Sequence, residues 1–271
     1  MVALHRLVVN LLLMTAVLIS IASCSSSVGT RHQVRLITVD QELELGRVCA
    51  KEVAQSYPPL ADSEAEKYVA QLGQRIAAHS DWAGLNFAFR VIDSEEVYSF
   101  ALPGGYAYLS RGMLELVDTA CELAAVLAHE VAHVACRHGA EQVSARYGLA
   151  LASESLFGAN PALGRQVVAE LFTPRGILLY GRAAEEEADG RALSYLEKAG
   201  YDPRGLLGVV ERLRALEEQH PQALARWRVT HEPARQRLKW VKRGLRRVPA
   251  TEALVEDEPG FRQIKSRLQQ G

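Results

Sequence analysis

One stretch, Thr119 to His138, constrains the fold more than any other, because it is apolar on nearly every face. Leu123, Ala124, Val126, Leu127, Val131, Ala132, Val134 and Ala135 leave no polar stripe. A helix of this kind must be buried on most sides, so the rest of the domain has to pack around it. Gly139 is expected to end it. Inside it stands His129-Glu130-Val131-Ala132-His133, the pattern HExxH. Residues i and i+4 lie one turn apart on the same helix face, so both imidazoles can reach one ion while Glu130 is displaced toward the substrate side. Two histidines flanking a carboxylate inside an apolar helix would be costly without a partner. Zinc lowers the pKa of its bound water toward about 7, and Glu130 can take that proton as the hydroxide attacks a peptide carbonyl.

A catalytic zinc site normally takes three ligands from the protein. The sixth position after His133 is Gly139, which excludes a third histidine there. The third ligand is therefore sought among Glu141, Glu154, Glu170 and the run Glu185-Glu186-Glu187. A run of Glu is ordinarily a solvated helix face. This one is followed by Asp189, one turn beyond Glu185, a spacing that suits one ligand and one carboxylate that orients a histidine ring. His138, in the last turn of the expected helix, is read as favouring the negative end of the helix dipole and is not assigned to zinc.

Around this helix the patterning predicts an α+β, mainly helical domain with a small sheet packed on the HExxH helix. Helical spacing runs over Asp40 to Gln55 and Ser63 to His79, the latter with Ser63 and Glu66 as a capping box. Leu85 to Ile92 alternates as a strand, Pro103-Gly104-Gly105 has turn chemistry, and Tyr106 to Leu109 reads as a second strand. Further helices are expected at Glu141 to Phe157, Pro161 to Phe172, Leu178 to Ala199, Pro203 to Gln219 and Pro233 to Arg246, with a break or mobile loop over Pro174 to Gly181.

At the amino terminus, His5 and Arg6 precede an apolar run from Leu7 to Ala22 that ends Ile21-Ala22-Ser23-Cys24, followed by three serines. This is a signal-peptide pattern, and its end resembles the bacterial lipobox, in which cleavage leaves the cysteine as the lipidated first residue. The expected organisation is a signal peptide over 1–23, a lipidated tether over 24–39, a zinc metalloprotease domain over 40–247 and a C-terminal extension over 248–271. Lys plus Arg (31) nearly balances Asp plus Glu (32), so no field of one sign points to nucleic acid. Cys121 and Cys136 fall on one expected helix, about 22 Å apart, and cannot pair; at most Cys49 bridges one of them.

Several segments in order carry a family resemblance: Phe100-Ala101-Leu102-Pro103-Gly104-Gly105, Glu122 through His133, Arg182-Ala183-Ala184-Glu185-Glu186-Glu187-Ala188-Asp189, and Thr230-His231. Over about Asp40 to Arg246 the chain resembles the HtpX and CAAX prenyl protease family of zinc peptidases. The resemblance implies a gluzincin fold with one zinc per chain, His129, His133 and Glu185 as ligands, Glu130 as base and Asp189 behind a ligand. It is nearest the periplasmic lipoprotein members, linked to quality control of outer-membrane proteins, since no second run is long and uncharged enough to span a membrane. In those members the histidine matching His231 acts on the transition state or as a fourth ligand that displaces water; the bland reading is a residue at the start of the helix that follows Pro233. Tyr98-Ser99 stands where the family usually shows Asn-Ala.

The expected function is endoproteolysis of unfolded or misassembled envelope proteins by a lipoprotein facing the periplasm. Ser25 after Cys24 favours the outer membrane by the sorting rule of enteric bacteria. Tyr106 to Leu109 is expected as an edge strand that pairs with an extended peptide, with Gly104 and Gly105 permitting close approach. The rival is a zinc-stabilised chaperone or assembly factor with little proteolysis; a purely structural zinc site has no need of the base Glu130.

Overall fold

The computed structural model describes residues 37–157, 166–170, 178–248 and 254–270, with side chains omitted over 148–157. The expected signal peptide, Cys24 and nearly all of the expected tether lie outside the described residues, as do most of the helix expected at Pro161 to Phe172 and half of the loop expected at Pro174 to Gly181. No described helix is long and apolar enough to cross a membrane.

Helix α1 (Val39–Ser56) starts at a Thr38 cap, with Gln41 returning the bond to complete a capping box. In α2 (Ser63–Ala77) the cap is Asp62, which accepts from the amides of Glu64 and Ala65. The Ser63–Glu66 box is therefore not formed. Glu66 instead accepts from the backbone N–H of Val91 at 2.7 Å, satisfying an amide on β1 (Ala88–Ile92).

The sheet has three strands rather than two. Ser99–Leu102 forms β2 and Tyr106–Ser110 forms β3, in the order β1-β3-β2, with β1 parallel and β2 antiparallel to β3. This corrects the expected edge strand: β3 is paired on both sides and cannot add a peptide, and the outer edge beside the HExxH helix belongs to β2. The turn glycines are explained by packing. Gly104 and Gly105 take φ of 79° and 99°, and a Cβ on Gly104 would press on the Glu42–Leu43 backbone of α1.

After the short α3 (Arg111–Leu116), α4 (Ala120–Ala135) is the buried helix, capped by Thr119. It ends earlier than Gly139 because Arg137 adopts φ 61° and turns the chain into α5 (His138–Phe157). Gly139 serves close approach: a Cβ there would sit 3.1 Å from the Pro103 ring. Further along the described residues come α6 (Arg182–Lys198), α7 (Arg204–Gln219), the single turn α8 (Trp227–Thr230) and α9 (Ala234–Leu245). The main core gathers α4 with apolar faces of α2, α6, α7 and α9.

The stretch expected as an extension is part of this core. Helix α10 (Pro259–Leu268) buries Phe261 and Ile264, and Glu258 just before it accepts hydrogen bonds from Tyr68 and Tyr201 at 2.7 and 2.6 Å. None of Cys49, Cys121 and Cys136 is in a disulfide.

Candidate active site

Helical spacing on α4 puts His129 and His133 on one face, and both are 1% exposed. Their Nε2 atoms lie 3.0 Å apart. Helix α6 crosses this face and delivers Glu185, fully buried, with Oε1 3.1 Å from His133 Nε2 and Oε2 3.8 Å from His129 Nε2. From the other side, the residue after α8 brings in His231. Donor atoms of His129, His133, Glu185 and His231 all lie within 4.8 Å of one another. Glu141 and Glu170, the other expected candidates with described side chains, are not in this cluster, and the Glu154 side chain lies outside the described residues.

The hydrogen bonds behind the cluster decide which nitrogens face it. His129 Nδ1 lies 3.0 Å from Asp189 Oδ1 and so donates to it, leaving Nε2 as an acceptor. Thr230 Oγ1 donates to the Trp227 carbonyl at 3.1 Å, so it accepts from His231 Nδ1 at 2.7 Å, and His231 Nε2 is likewise an acceptor. The Trp227 indole stacks on the His231 ring at 3.8 Å and fixes its plane. Both Glu185 oxygens and His231 Nε2 are buried without a hydrogen-bond partner. Such orphaned acceptors cost about 1–3 kcal/mol each. Two imidazole lone pairs and a carboxylate converging on one point repel each other unless a cation lies between them, and this donor set is that of zinc. The residues therefore fit the metal.

Burial, reinforced by His129 and His138, holds the His133 imidazole well below its ordinary pKa, so it is neutral and able to ligate at neutral pH. For Glu130, burial pushes the carboxyl up, but His231, His129 and His133 together pull it below the ordinary value. Its Oε1 accepts from Ser99 Oγ at 2.7 Å, while Oε2 is orphaned.

Asp189 is held by groups that sequence reasoning missed. Arg237, 1% exposed, grips it with Nε to Oδ2 at 3.0 Å and Nη2 to Oδ1 at 2.6 Å, and Trp240 Nε1 adds a third bond at 2.6 Å. Burial works against the Asp189 charge, but Arg237 and His129 outweigh it and hold the carboxyl far below its usual range. A signal was present: Ala234, Arg237, Leu238 and Val241 share one helical face, so Arg237 occupies an apolar slot of α9. His138 also differs from expectation. It opens α5 instead of closing α4, and its Nδ1 is 3.0 Å from His133 Nδ1. Gly104, Gly105 and Tyr106 belong to the turn and the central strand, not to the cluster.

Residues 63–243 match the model of peptidase family M48. The chain belongs to that family. Its members are zinc-dependent metallopeptidases, in keeping with the buried His-His-Glu-His cluster. Among curated relatives, the chain is similar to the beta-barrel assembly-enhancing protease of Yersinia pestis, 28% identical over 65% of this chain and 38% of that protein. It is also similar to the mitochondrial metalloendopeptidase OMA1 of Schizosaccharomyces pombe, 30% identical over 80% of this chain and 65% of that protein. Metalloprotease YcaL of Escherichia coli is 22% identical over 80% of this chain and 85% of its own length. The match thus spans well under half of the beta-barrel assembly-enhancing proteases.

Proposed function

We propose that this M48 chain is a zinc metalloendopeptidase of the bacterial cell envelope that cleaves unfolded or misassembled proteins. The observation that carries the reading is Glu130, buried beside the four-donor cluster with one oxygen fixed by Ser99 and the other unpaired. A structural metal site has no use for such a group. Zinc, when bound, polarises a substrate carbonyl and lowers the pKa of water toward about 7. In this reading His129, His133 and Glu185 hold the ion, Asp189 and Arg237 fix the tautomer of His129, and Glu130 takes up a proton and passes it to the leaving amine. The outer edge of β2, which presents Ser99 to Glu130, is the backbone that an extended peptide would pair with.

His231 acts as a fourth ligand that closes the resting site, because its hydrogen bond to Thr230 leaves Nε2 as an acceptor. The envelope location rests on the signal-peptide and lipobox patterns ending at Cys24, and on relatives named for β-barrel assembly. With Ser25 next, the outer membrane is favoured.

The test is incubation of the purified protein with unfolded casein, with and without a chelator, then with zinc restored. Cleavage that stops with the chelator and returns with zinc is expected. Protein that binds casein and keeps it intact under all three conditions would be a holding factor, and the endopeptidase reading would fall.

A further inference from the structure

The corner between α4 and α5 gathers a second set of metal-capable side chains. Cys136 Sγ, a ring nitrogen of His138 and a carboxylate oxygen of Glu187 all lie within 4.8 Å of one another, and His138 Nε2 is 3.5 Å from Glu187 Oε2. The corner is pinned rather than loose. Arg137, between the cysteine and the histidine, holds φ 61°, a left-handed conformation that is costly for a residue with a Cβ. Its guanidinium offsets that cost by donating to buried Glu42 at 2.6 Å and to the Ile37 carbonyl at 3.3 Å.

We propose that Cys136, His138 and Glu187 form a second, weaker divalent-cation site, suited to zinc, whose occupation antagonises the inner site. Thiolate, imidazole and carboxylate are the three zinc donor types in proteins. His138 is buried, but Cys136 is only partly covered and Glu187 is exposed, so an ion from solution can reach them and water can complete its shell. Two features make the site weak. Burial, with Glu187 nearby, pushes the Cys136 thiol up to about 12, so an ion must displace a firmly held proton. Arg191 Nη2 also lies 3.6 Å from Glu187 Oε1 and competes for the carboxylate.

The antagonism rests on His133 being an inner ligand, and it follows from proton positions. With His133 Nε2 turned to the inner ion, the ring proton is on Nδ1, which donates to His138 Nδ1 across 3.0 Å. His138 then carries its own proton on Nε2, the atom that faces Glu187. An ion bound at His138 Nε2 displaces that proton, and a neutral His138 ring must then be protonated at Nδ1. Two N–H groups would point at each other. His133 must either give up its support from His138 or lose its own proton, and the inner coordination changes in both cases.

The experiment is titration of the full chain, stripped of metal, with Co2+ as an optical probe. The first equivalent should give visible ligand-field bands with no thiolate signature. The second should add a near-ultraviolet thiolate-to-cobalt charge-transfer band. Cys136→Ala and, separately, exposed Glu187→Gln should lose that band and keep the first-equivalent bands; the second variant covers a failure of the first to fold. Excess Zn2+ should slow casein cleavage in the wild type and spare both variants. No thiolate band at any cobalt concentration, or a band that survives Cys136→Ala, overturns the outer site. Equal inhibition of wild type and variants by zinc overturns the antagonism. Missing first-equivalent bands in the wild type would instead count against the inner ligands, so the two failures are told apart.

Discussion

Ser99 Oγ donates a 2.7 Å hydrogen bond to Glu130 Oε1, and both side chains are 1% exposed. The bond fixes one carboxylate oxygen on β2 and leaves Oε2 to meet the substrate side. Glu130→Gln keeps an oxygen for Ser99 and removes only the proton acceptor. Zinc content should therefore be unchanged while casein cleavage falls about 10²–10⁴-fold. Cleavage at near wild-type rate would remove Glu130 as the base.

Glu185 is fully buried, Glu186 pairs with Arg243 at the surface, and Glu187 reaches His138 from an exposed position. Glu185→Gln should lower the zinc content of the purified protein sharply, because a neutral amide is a poor zinc ligand. Glu186→Gln and Glu187→Gln should retain one equivalent. Equal loss in Glu187→Gln would mean that the wrong member of the run holds the inner ion.

His231 Nε2 lies 3.6 Å from Glu130 Oε1, too far for a hydrogen bond, and faces the other three donors. Removing a fourth ligand opens a position at the metal, so His231→Ala should raise casein cleavage while zinc stays bound. Reduced cleavage with full zinc would show a transition-state donor instead.

Cys24→Ala should leave the protein unlipidated, since thioether formation needs the thiol, and processing should stall. Metabolic labelling with palmitate reports this directly. A label on the variant would sink the lipobox reading.

Glu258 ties α10 to the domain through Tyr68, Tyr201 and Arg75. Burial raises its carboxyl, but the two tyrosines and Arg75 outweigh this and hold it below its ordinary 4.5. A lowered folded pKa stabilises the fold above the unfolded value, and the benefit is lost as pH falls through the folded pKa. Glu258→Gln should thus be less stable than wild type by about 1–2 kcal/mol at neutral pH. The gap should narrow below about pH 4 in denaturant melts. A gap independent of pH would point to packing rather than charge.

What could be read in the chain follows from how local each signal is. The apolar run through Val131 announced a buried helix, and the four-residue spacings of His129 with His133 and of Glu185 with Asp189 announced the metal face. Strand β2 was missed because Ser99 to Leu102 is buried at every position and shows no alternation. The central place of β3 was equally hidden, since strand order is set by pairing between distant segments. Arg137 replaced the glycine that a helix end leads one to expect. Arg237 looked like one more charge on a basic helix, and only its partner 48 residues away, Asp189, explains why it is buried.

The C-terminal helix also bears on the order in which the chain is made. Phe261 stacks on Tyr68 and completes a core that α2 begins nearly two hundred residues earlier. A nascent chain that has not yet delivered residues 259–268 leaves that face of α2 bare. The core stays unsealed until that segment has emerged. Closure of the core around the HExxH helix therefore waits on a segment that lies far downstream of it.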